Sequence, residues 1–344
     1  MRLEDFDYNL PDQAIALHPP KVRGASRLLA LNKKTGEITD DYYKQLTDYL
    51  HAGDVLVINN TKVIPARLHA KTTEGDDREL LLLEQHGQTR DHLTSMVMYR
   101  RKLRPGQMLD VAGTLVTIEE VFDNGTARIS STKDLWQLAE EQGEVPLPPY
   151  MHRKEEAEDR ERYQTEFAKQ NGSVAAPTAS LNLTNELLEN IKAKGVEVVE
   201  LTLHVGLGTF MPIRVDDVTK HKMHQEYFEI PAHTARRIQL AKQEGRRVVA
   251  VGTTVTRTLE FCANQLLSEQ EMARPLAGEA DIFIYPGYVF KIVDALLTNF
   301  HAPHSTVLMM AAAFAQWNHL QVAYQHALTE KYAFLSYGDS MLIY

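Results

Sequence analysis

The alternation of apolar and polar residues divides the chain into three regions. Residues 1 to about 66 mix turns with short apolar runs, one of which covers residues 55–58. From about 67 to 147 the pattern is that of short strands, and the apolar runs there are residues 80–83, 93–98 and 115–122. From about 184 onward, strand-like runs alternate with segments of helical period. The pattern predicts a β-rich unit set within α/β sequence.

The middle region contains a strong hairpin signal. Residues 123–126 read Asp-Asn-Gly-Thr and are followed by a second strand-like run, residues 127–130. Asn-Gly favours a tight turn in which both central residues, here Asn124 and Gly125, have positive φ. Short strands with polar turns and one short helix, residues 135–141, predict a small barrel.

The last region predicts helices and strands in alternation. Thr184 can cap a helix that Gly195 ends, and Ser305 or Thr306 can cap an apolar helix over 307–315. The other predicted elements are helices over 232–244, from 252 through 260, and over 320–331, and strands over 196–204, 247–251 and 281–285. Residues 153–170 are expected to form a surface helix or a mobile lid.

Together these elements predict an α/β fold whose sheet is mostly parallel or mixed and is covered by helices. We expect residues 1–66 and 148–344 to form this discontinuous catalytic domain, with residues 67–147 inserted as a β-barrel domain. The proline-rich residues 146–150 read as an extended connector between them.

Composition limits the class of protein. A chain of 344 residues favours two domains, and 44% apolar with 24% charged residues is typical of a soluble protein. The longest apolar run, residues 307–315, is too short to span a bilayer, and the N-terminus does not resemble a secretory signal. The single cysteine, Cys262, excludes a disulfide framework and fits a reducing, cytoplasmic location.

The net charge of −9 argues against a protein that coats nucleic acid, but phosphate binding needs only a local basic patch. The densest such patch is the basic cluster Arg100, Arg101, Lys102 and Arg104. A solvated surface strand is the alternative interpretation.

Ligands of α/β sheets lie beyond the carboxyl ends of the strands, so three turns are of interest. Gly206 and Gly208 permit close backbone approach, although a plain turn has the same sequence. Thr253 and Thr254 begin a helix whose N–H groups favour anions, with Arg257 one turn further on, although a self-capped helix explains them equally. The third turn, residues 285–288, carries two tyrosines suited to stacking on a base or to core packing.

Histidines cluster near residue 224. His221, His224 and Glu226 fall within six residues, and His204 and His301 are available elsewhere. A metal site is one interpretation, but the spacing matches no helical His-Glu-x-x-His motif. General acid–base chemistry is a second, and histidines satisfied by structural neighbours are a third.

Long strings of the chain resemble the S-adenosylmethionine:tRNA ribosyltransferase-isomerases. The resemblance opens with Asp5-Phe6-Asp7-Tyr8 and includes Met223-His224-x-Glu226. The other strings, in family order, are residues 26–29, 59–67, 146–150, 162–165, 172–179, 201–210, 250–254, 284–288, 298–301 and 336–339. They cover nearly the whole chain.

This resemblance implies an α/β domain interrupted by a small β-barrel. It also implies transfer of the ribosyl group of S-adenosylmethionine to the 7-aminomethyl-7-deazaguanine wobble base of a tRNA. The sugar rearranges to give epoxyqueuosine, while adenine and methionine are released. S-adenosylmethionine is a substrate, and no cofactor, metal, nicotinamide or membrane is expected; we expect a monomer.

Residue chemistry assigns expected roles to the matched positions. The candidate proton carriers are His204, His221, His224, Glu226, His301 and, more weakly, Asp294, with His224 and Glu226 as a coupled acid–base unit. The candidate substrate-binding residues are Ser173, Thr178, Gly206, Gly208, Thr209, Thr253, Thr254, Arg257 (on a carboxylate), Tyr285, Gly287 and Asn299. The candidate tRNA-binding residues are Asn60, Lys62, Arg67, Arg100, Arg101, Lys102 and Arg104.

The chain departs from the family in the barrel, where His92 replaces the usual Trp and Val97-Met98 replaces the usual Lys-Pro, and at one string of the α/β region. After residues 177–179 the usual Gly-Leu-His-Phe is Ser180-Leu181-Asn182-Leu183, so an imidazole is replaced by an amide that does not carry protons at neutral pH. Two alternatives therefore stay open: a catalytically silent or substrate-altered tRNA-binding paralogue, and a metal-dependent hydrolase that uses the histidine-rich segment.

Overall fold

The computed structural model describes residues 1–83, 92–206, 213, 215–268 and 274–344. The strands within these ranges are β1 (Arg27–Leu31), β2 (Ile38–Tyr42), β3 (Val55–Asn59), β4 (Thr61–Val63), β5 (Arg67–Thr72), β6 (Asp77–Leu82), β7 (Thr94–Arg100), β8 (Met108–Val111), β9 (Thr114–Val121), β10 (Thr126–Ser131), β11 (Gln170–Ser173), β12 (Glu197–Leu203), β13 (Glu226–Ile230), β14 (Val248–Val251), β15 (Leu276–Ala280), β16 (Ala295–Asn299) and β17 (Ser340–Ile343). The helices are α1 (Leu46–Tyr49), α2 (Leu135–Gln142), α3 (Asp159–Arg162), α4 (Asn185–Ala193), α5 (Ala232–Gln243), α6 (Thr253–Phe261), α7 (Ala263–Leu266), α8 (Thr306–Ala315) and α9 (Trp317–Thr329).

The main sheet has nine strands in the order β15-β13-β12-β3-β14-β16-β17-β1-β2. Strands β12, β3, β14 and β16 are parallel neighbours, whereas β13 and β15 pair antiparallel, and β17 is antiparallel to β16 but parallel to β1. The expected mixed α/β sheet is confirmed. Because the four parallel strands run the same way, they end at one edge, at Asn59, Leu203, Val251 and Asn299. This carboxyl edge is where a ligand site is expected.

Both faces of the sheet are buried, as β3 illustrates. Val55 and Val57 belong to a core that includes residues of α5, α6, α8 and α9, whereas Leu56 and Ile58 pack with residues of α4. All four side chains are almost inaccessible to solvent. A strand buried on both sides needs a continuous apolar run rather than alternation, which is the pattern of residues 55–58.

The inserted unit is a closed barrel of six antiparallel strands in the order β10-β7-β6-β5-β8-β9. Helix α2 begins at the cap Asp134 and buries Leu135 and Leu138 in the barrel core. The chain enters the barrel at Arg67 and leaves it at Glu144, where the two residues exchange backbone hydrogen bonds of 3.1 and 2.9 Å. The barrel predicted from the strand pattern is confirmed.

The Asn-Gly hairpin is confirmed, but its predicted turn is wrong in one respect. Strands β9 and β10 do pair across it, and Gly125 has φ of +84°. Asn124 does not have positive φ; its side-chain oxygen instead accepts from the backbone N–H of Thr126 at 3.1 Å. The loop is longer than a two-residue turn, so only the glycine needs the left-handed conformation.

Two other predicted elements differ from the structure. Residues 281–285 are not a strand; the strand is β15, which ends at Ala280 and pairs with β13. Residues 153–170 form no long surface helix; their only helix is the single turn α3, and Gln170 begins β11. Asp159 anchors this segment because its buried carboxylate accepts from Arg153 at 2.6 and 2.8 Å and from Tyr337 at 2.8 Å.

The remaining helices follow the sequence signals closely. Thr184 caps α4 through a 3.2 Å bond from the N–H of Leu187, and Gly195 follows with φ of +87°. Ser305 caps α8 in the same way, through the N–H of Leu308. Among the described residues, no helix is both long enough and apolar enough to cross a membrane.

Candidate active site

A cavity of about 260 Å³ lies beyond the carboxyl ends of β14 and β16. Most of its wall comes from four segments: residues 148–150 of the proline-rich connector, residues 175–179, residues 252–254 at the start of α6, and residues 298–302 at the end of β16 and just after it. The cavity includes Thr178, Thr253, Thr254, Asn299 and His301 from the predicted site. The sheet therefore brings together residues that are more than 100 positions apart.

A smaller lobe of about 60 Å³ adjoins this cavity. Thr253, Thr254 and Val307 line both spaces, so the two share part of one wall. Glu226 at the start of β13 and Arg257 on α6 supply the charged part of the lobe wall. The wall is otherwise mainly apolar.

Glu226 and Arg257 form a buried ion pair. Nη1 of Arg257 donates to Oε2 of Glu226, and the two side chains are 7% (Arg257) and 4% (Glu226) exposed. The other carboxylate oxygen accepts from the N–H of Gly206 at 3.2 Å, and Nη2 of Arg257 donates to the carbonyl of Ala280 at 3.2 Å. Hence the expected pairing of Glu226 with His224 is not found among the described residues.

His301 is held rigidly in the cavity wall. Its Nε2 lies 2.8 Å from Oγ1 of Thr298, and its backbone N–H donates to the hydroxyl of Tyr324 at 3.0 Å. The hydroxyl of Tyr8 donates to its backbone carbonyl. Burial lowers the pKa of His301 from 6.5 to about 3, so the ring is neutral at physiological pH.

His221 and His224 lie on the segment that precedes β13. The ring of His221 contacts Phe283, with centroids 5.0 Å apart, and Phe283 lines the lobe. Partial burial, together with the nearby His224, lowers the pKa of His221. The backbone carbonyl of His224 lies 3.5 Å from Nη2 of Arg257. The ring of His221 thus contacts a wall residue of the lobe, and the backbone of His224 lies next to Arg257.

Two predicted site residues are internal to the fold. Nδ1 of His204 lies 2.8 Å from Oγ1 of Thr61, and the ring stacks on Tyr227. The ring also lies against Gly172, where a Cβ atom would come within 2.8 Å of it. The hydroxyl of Ser173 donates to the carbonyl of Ala175 at 2.7 Å and accepts from the N–H of Val205 at 2.9 Å. Both residues join the β4–β11 region to β12.

Asp294 is not brought to the cavity. It directly precedes β16 and therefore lies at the amino end of that strand, opposite the site. Its carboxylate pairs with Lys242 at 3.0 Å and accepts from the N–H of Val248 at 2.8 Å.

The third predicted turn lies beside the lobe. Tyr285 is half-buried and contacts Phe283, and Gly287 is exposed with φ of +101°. Gly208 and Thr209 lie outside the described residues.

Two further residues of the site were not singled out from the sequence. Asn59 ends β3 and joins it to β12, since its amide bonds the N–H and carbonyl of Leu203 at 3.0 and 2.9 Å. Tyr150 lines the cavity and bonds Ser336, and burial raises its pKa to about 12. Both lie within the matched strings, whereas the partners that define their roles are distant in sequence.

The predicted tRNA-binding residues differ in exposure. Asn60 is buried, and its amide bonds Glu200 and Thr202 at 3.0 and 2.7 Å. Arg67 donates to the carbonyl of Leu147 at 3.2 Å, while Lys62 is exposed. The basic cluster of residues 100–104 is exposed on the barrel at all four of its basic positions.

The residues that depart from the family string do not line the cavity. Asn182 is buried, and its amide lies 3.5 Å from the carbonyl of Gly338. Ser180 and Leu183 are fully buried. Among the described residues, no group of three or more His, Cys, Asp or Glu side chains is arranged to hold a metal ion.

Comparison with known proteins agrees with this architecture. A family model described as "Queuosine biosynthesis protein" matches residues 3–343. A solved structure of an S-adenosylmethionine tRNA ribosyltransferase from Thermotoga maritima is 34% identical, with a TM-score of 0.57 over 99% of this chain and 100% of that one.

Curated relatives match from end to end. Proteins of Chlorobaculum parvum and Chlorobium chlorochromatii are 55% and 52% identical, each over 100% of both chains. A protein of Francisella tularensis is 45% identical over 100% of this chain and 99% of its own length. All three are named S-adenosylmethionine:tRNA ribosyltransferase-isomerase. The chain therefore belongs to the queuosine biosynthesis protein family that includes these ribosyltransferase-isomerases, and it is an enzyme of that family.

Proposed function

We propose that this enzyme transfers the ribosyl group of S-adenosylmethionine to the 7-aminomethyl-7-deazaguanine wobble base of tRNA and isomerises it. The products are epoxyqueuosine, adenine and methionine, and the reaction takes place in the cytosol without a metal or cofactor. The observation that carries the proposal is the 260 Å³ cavity at the carboxyl edge, next to a lobe lined by the Glu226–Arg257 pair. Together the two spaces fall near the lower end of small-molecule sites, at roughly 300 Å³.

The larger cavity suits the adenosyl part of the substrate. Apolar residues supply much of its wall, and Thr178, Thr253, Thr254 and Asn299 supply polar groups. The Thr178 hydroxyl already donates to Oδ1 of Asn299 at 3.0 Å, so both groups are held in place before a ligand arrives. Polar groups that are already held in place fix the orientation of a bound ligand at little entropic cost.

The reaction needs proton carriers. A base must remove the proton next to the sulfonium, and an acid assists the departure of adenine. His301 is unsuited as the acid, because burial lowers its pKa and keeps its ring neutral. The ring of His221 contacts Phe283 of the lobe wall, and the backbone of His224 contacts Arg257, so we assign proton transfer to His224 with His221 beside it. His301 then contributes a neutral hydrogen-bonding group.

The barrel is proposed to bind the tRNA. Its exposed basic cluster offers four cations, and the connector that leaves the barrel forms part of the cavity wall at residues 148–150. A tRNA held by its phosphates on the barrel would therefore present one nucleotide to the nearby cavity.

The test is incubation with S-adenosylmethionine and tRNA that carries the aminomethyl base, followed by nucleoside mass analysis. We expect epoxyqueuosine, with adenine and methionine released in equal amounts. tRNA with guanine at the wobble position is the matched control, because it lacks the attacking amine. A folded protein that binds tRNA in a salt-dependent manner yet releases no adenine would instead be the silent paralogue.

A further inference from the structure

The Glu226–Arg257 pair has more hydrogen-bonding capacity than its neighbours use. Both side chains are more than nine-tenths buried, yet they line an open lobe rather than packed core. Nε of Arg257 is also buried and has no hydrogen-bond partner among the described residues. An unsatisfied buried donor on a charged group is costly, and here it belongs to an arginine whose side chain lines a cavity.

We propose that this lobe is a zwitterion site that holds the α-amino-carboxylate end of the methionyl group. The carboxylate of the ligand binds Arg257, and its ammonium binds Glu226. The inference rests on the proposed function and adds to it the placement of the two halves of the substrate.

Charge balance selects a zwitterion over simpler ions. The lobe already contains one positive and one negative group. A ligand with only a carboxylate would bring a second anion beside Glu226, and a ligand with only an ammonium would bring a second cation beside Arg257. A zwitterion replaces one ion pair by two and leaves no buried charge unpaired.

The rest of the lobe fits the methionyl chain. Its apolar wall consists of Met223, Ile282, Phe283, Ile284, Val307 and Met310. These side chains can cover the two methylene groups and the sulfur. The volume of about 60 Å³ excludes a nucleoside from the lobe, so the adenosyl group occupies the larger cavity.

The sulfonium then lies where the lobe joins the cavity, beside Thr253, Thr254 and Val307. His224 is adjacent to the lobe, since its carbonyl lies near Arg257. The two small products consequently leave from different compartments, methionine from the lobe and adenine from the cavity.

The first test uses the unaltered enzyme. Unlabelled L-methionine, L-methionine amide and 4-(methylthio)butanoate compete with labelled S-adenosylmethionine in equilibrium dialysis. We expect L-methionine to compete about tenfold or more better than either analogue, since each analogue lacks one charged hydrogen-bonding group. Equal competition by all three would overturn the zwitterion site.

The second test uses variants. Arg257→Lys and Glu226→Gln are expected to weaken S-adenosylmethionine binding about tenfold or more, and to change binding of 5′-methylthioadenosine, which has no amino-acid group, less than about threefold. Arg237→Lys is the matched control, because Arg237 pairs with Glu197 on β12, away from the site. Equal weakening of both ligands would mean that the pair only stabilises the fold. The proposed function is judged separately, by whether epoxyqueuosine forms.

Discussion

The hydroxyl of Tyr8 donates a hydrogen bond to the backbone carbonyl of His301, although 293 positions separate the two residues. Tyr324 accepts from the N–H of the same residue, so two tyrosines fix the peptide groups on both sides of this imidazole. Tyr8 also packs edge-on against Tyr324, with ring centroids 5.2 Å apart. The N-terminal segment thus supports the cavity wall from behind. We call the two hydrogen bonds that Tyr8 and Tyr324 form with the His301 backbone the brace.

We predict that Tyr324→Phe lowers turnover about tenfold and destabilises the fold by about 1–3 kcal/mol, because it leaves the His301 N–H without a partner. Steady-state kinetics and thermal unfolding measure the two effects. Tyr42→Phe is the control, because Tyr42 is half exposed on β2. Unchanged turnover in the Tyr324 variant would show that the brace does not position His301 for the reaction.

Acid should destabilise the enzyme partly through His301. The unfolded state takes up a proton near pH 6.5, whereas burial lowers the pKa of the folded ring to about 3. Folded-state stability therefore decreases as the pH falls between these values, by up to about 1.4 kcal/mol per pH unit. His301→Gln should show a flatter dependence between pH 7 and pH 5 in urea unfolding. If the free energy of unfolding depends on pH in the same way in both proteins, the lowered pKa of His301 is refuted.

Charge reversal on the barrel should weaken tRNA binding. Replacing Arg100, Arg101 and Lys102 by Glu should lower affinity and flatten its salt dependence, by about one unit of slope for each phosphate that is no longer neutralised. S-adenosylmethionine affinity should not change. Lys192→Glu with Arg236→Glu, on exposed positions of α4 and α5, is the control. If the control weakens tRNA binding as much as the barrel variant, the basic cluster does not bind tRNA specifically.

His224→Ala is predicted to reduce turnover by roughly 10²-fold, the usual effect of removing a general acid or base. Substrate affinity should fall much less, since proton transfer matters chiefly in the transition state. Near-native turnover would transfer the role to His221.

Asn182→His restores the usual family residue, but we predict no increase in turnover, because Asn182 is buried and does not line the cavity. The larger ring should instead cost about 1–3 kcal/mol through overpacking. A clear increase in turnover would mean that the imidazole reaches the reaction after all.

Local signals in the sequence were sufficient to predict most of the fold. The caps Thr184 and Ser305, and the apolar run of β3, each depend on neighbours in the chain. The strand expected at residues 281–285 was wrong because its apolar residues line the lobe instead of pairing, while the pairing strand β15 contains the weak strand former Gly278.

The site was less predictable than the fold. Proximity in sequence suggested a pairing of Glu226 with His224, two positions away, but tertiary structure pairs Glu226 with Arg257, 31 positions away. The contact between Tyr8 and His301 is a second example, since nothing in the sequence indicates that these two residues meet. Side-chain pairs between segments that are distant in sequence are set by topology, which local patterns do not encode.

The paired backbone hydrogen bonds between Arg67 and Glu144 also bear on how the protein folds. Because the two ends of the insertion touch, a folded barrel behaves as a short link between β4 and the connector. The entropic cost of closing a loop grows only logarithmically with the number of residues in the loop. A barrel that has already folded removes most of this loop length, and with it part of the cost. The strands that pair within the barrel are also closer in sequence than β3 and β12, so early barrel formation would shorten the search that completes the main sheet.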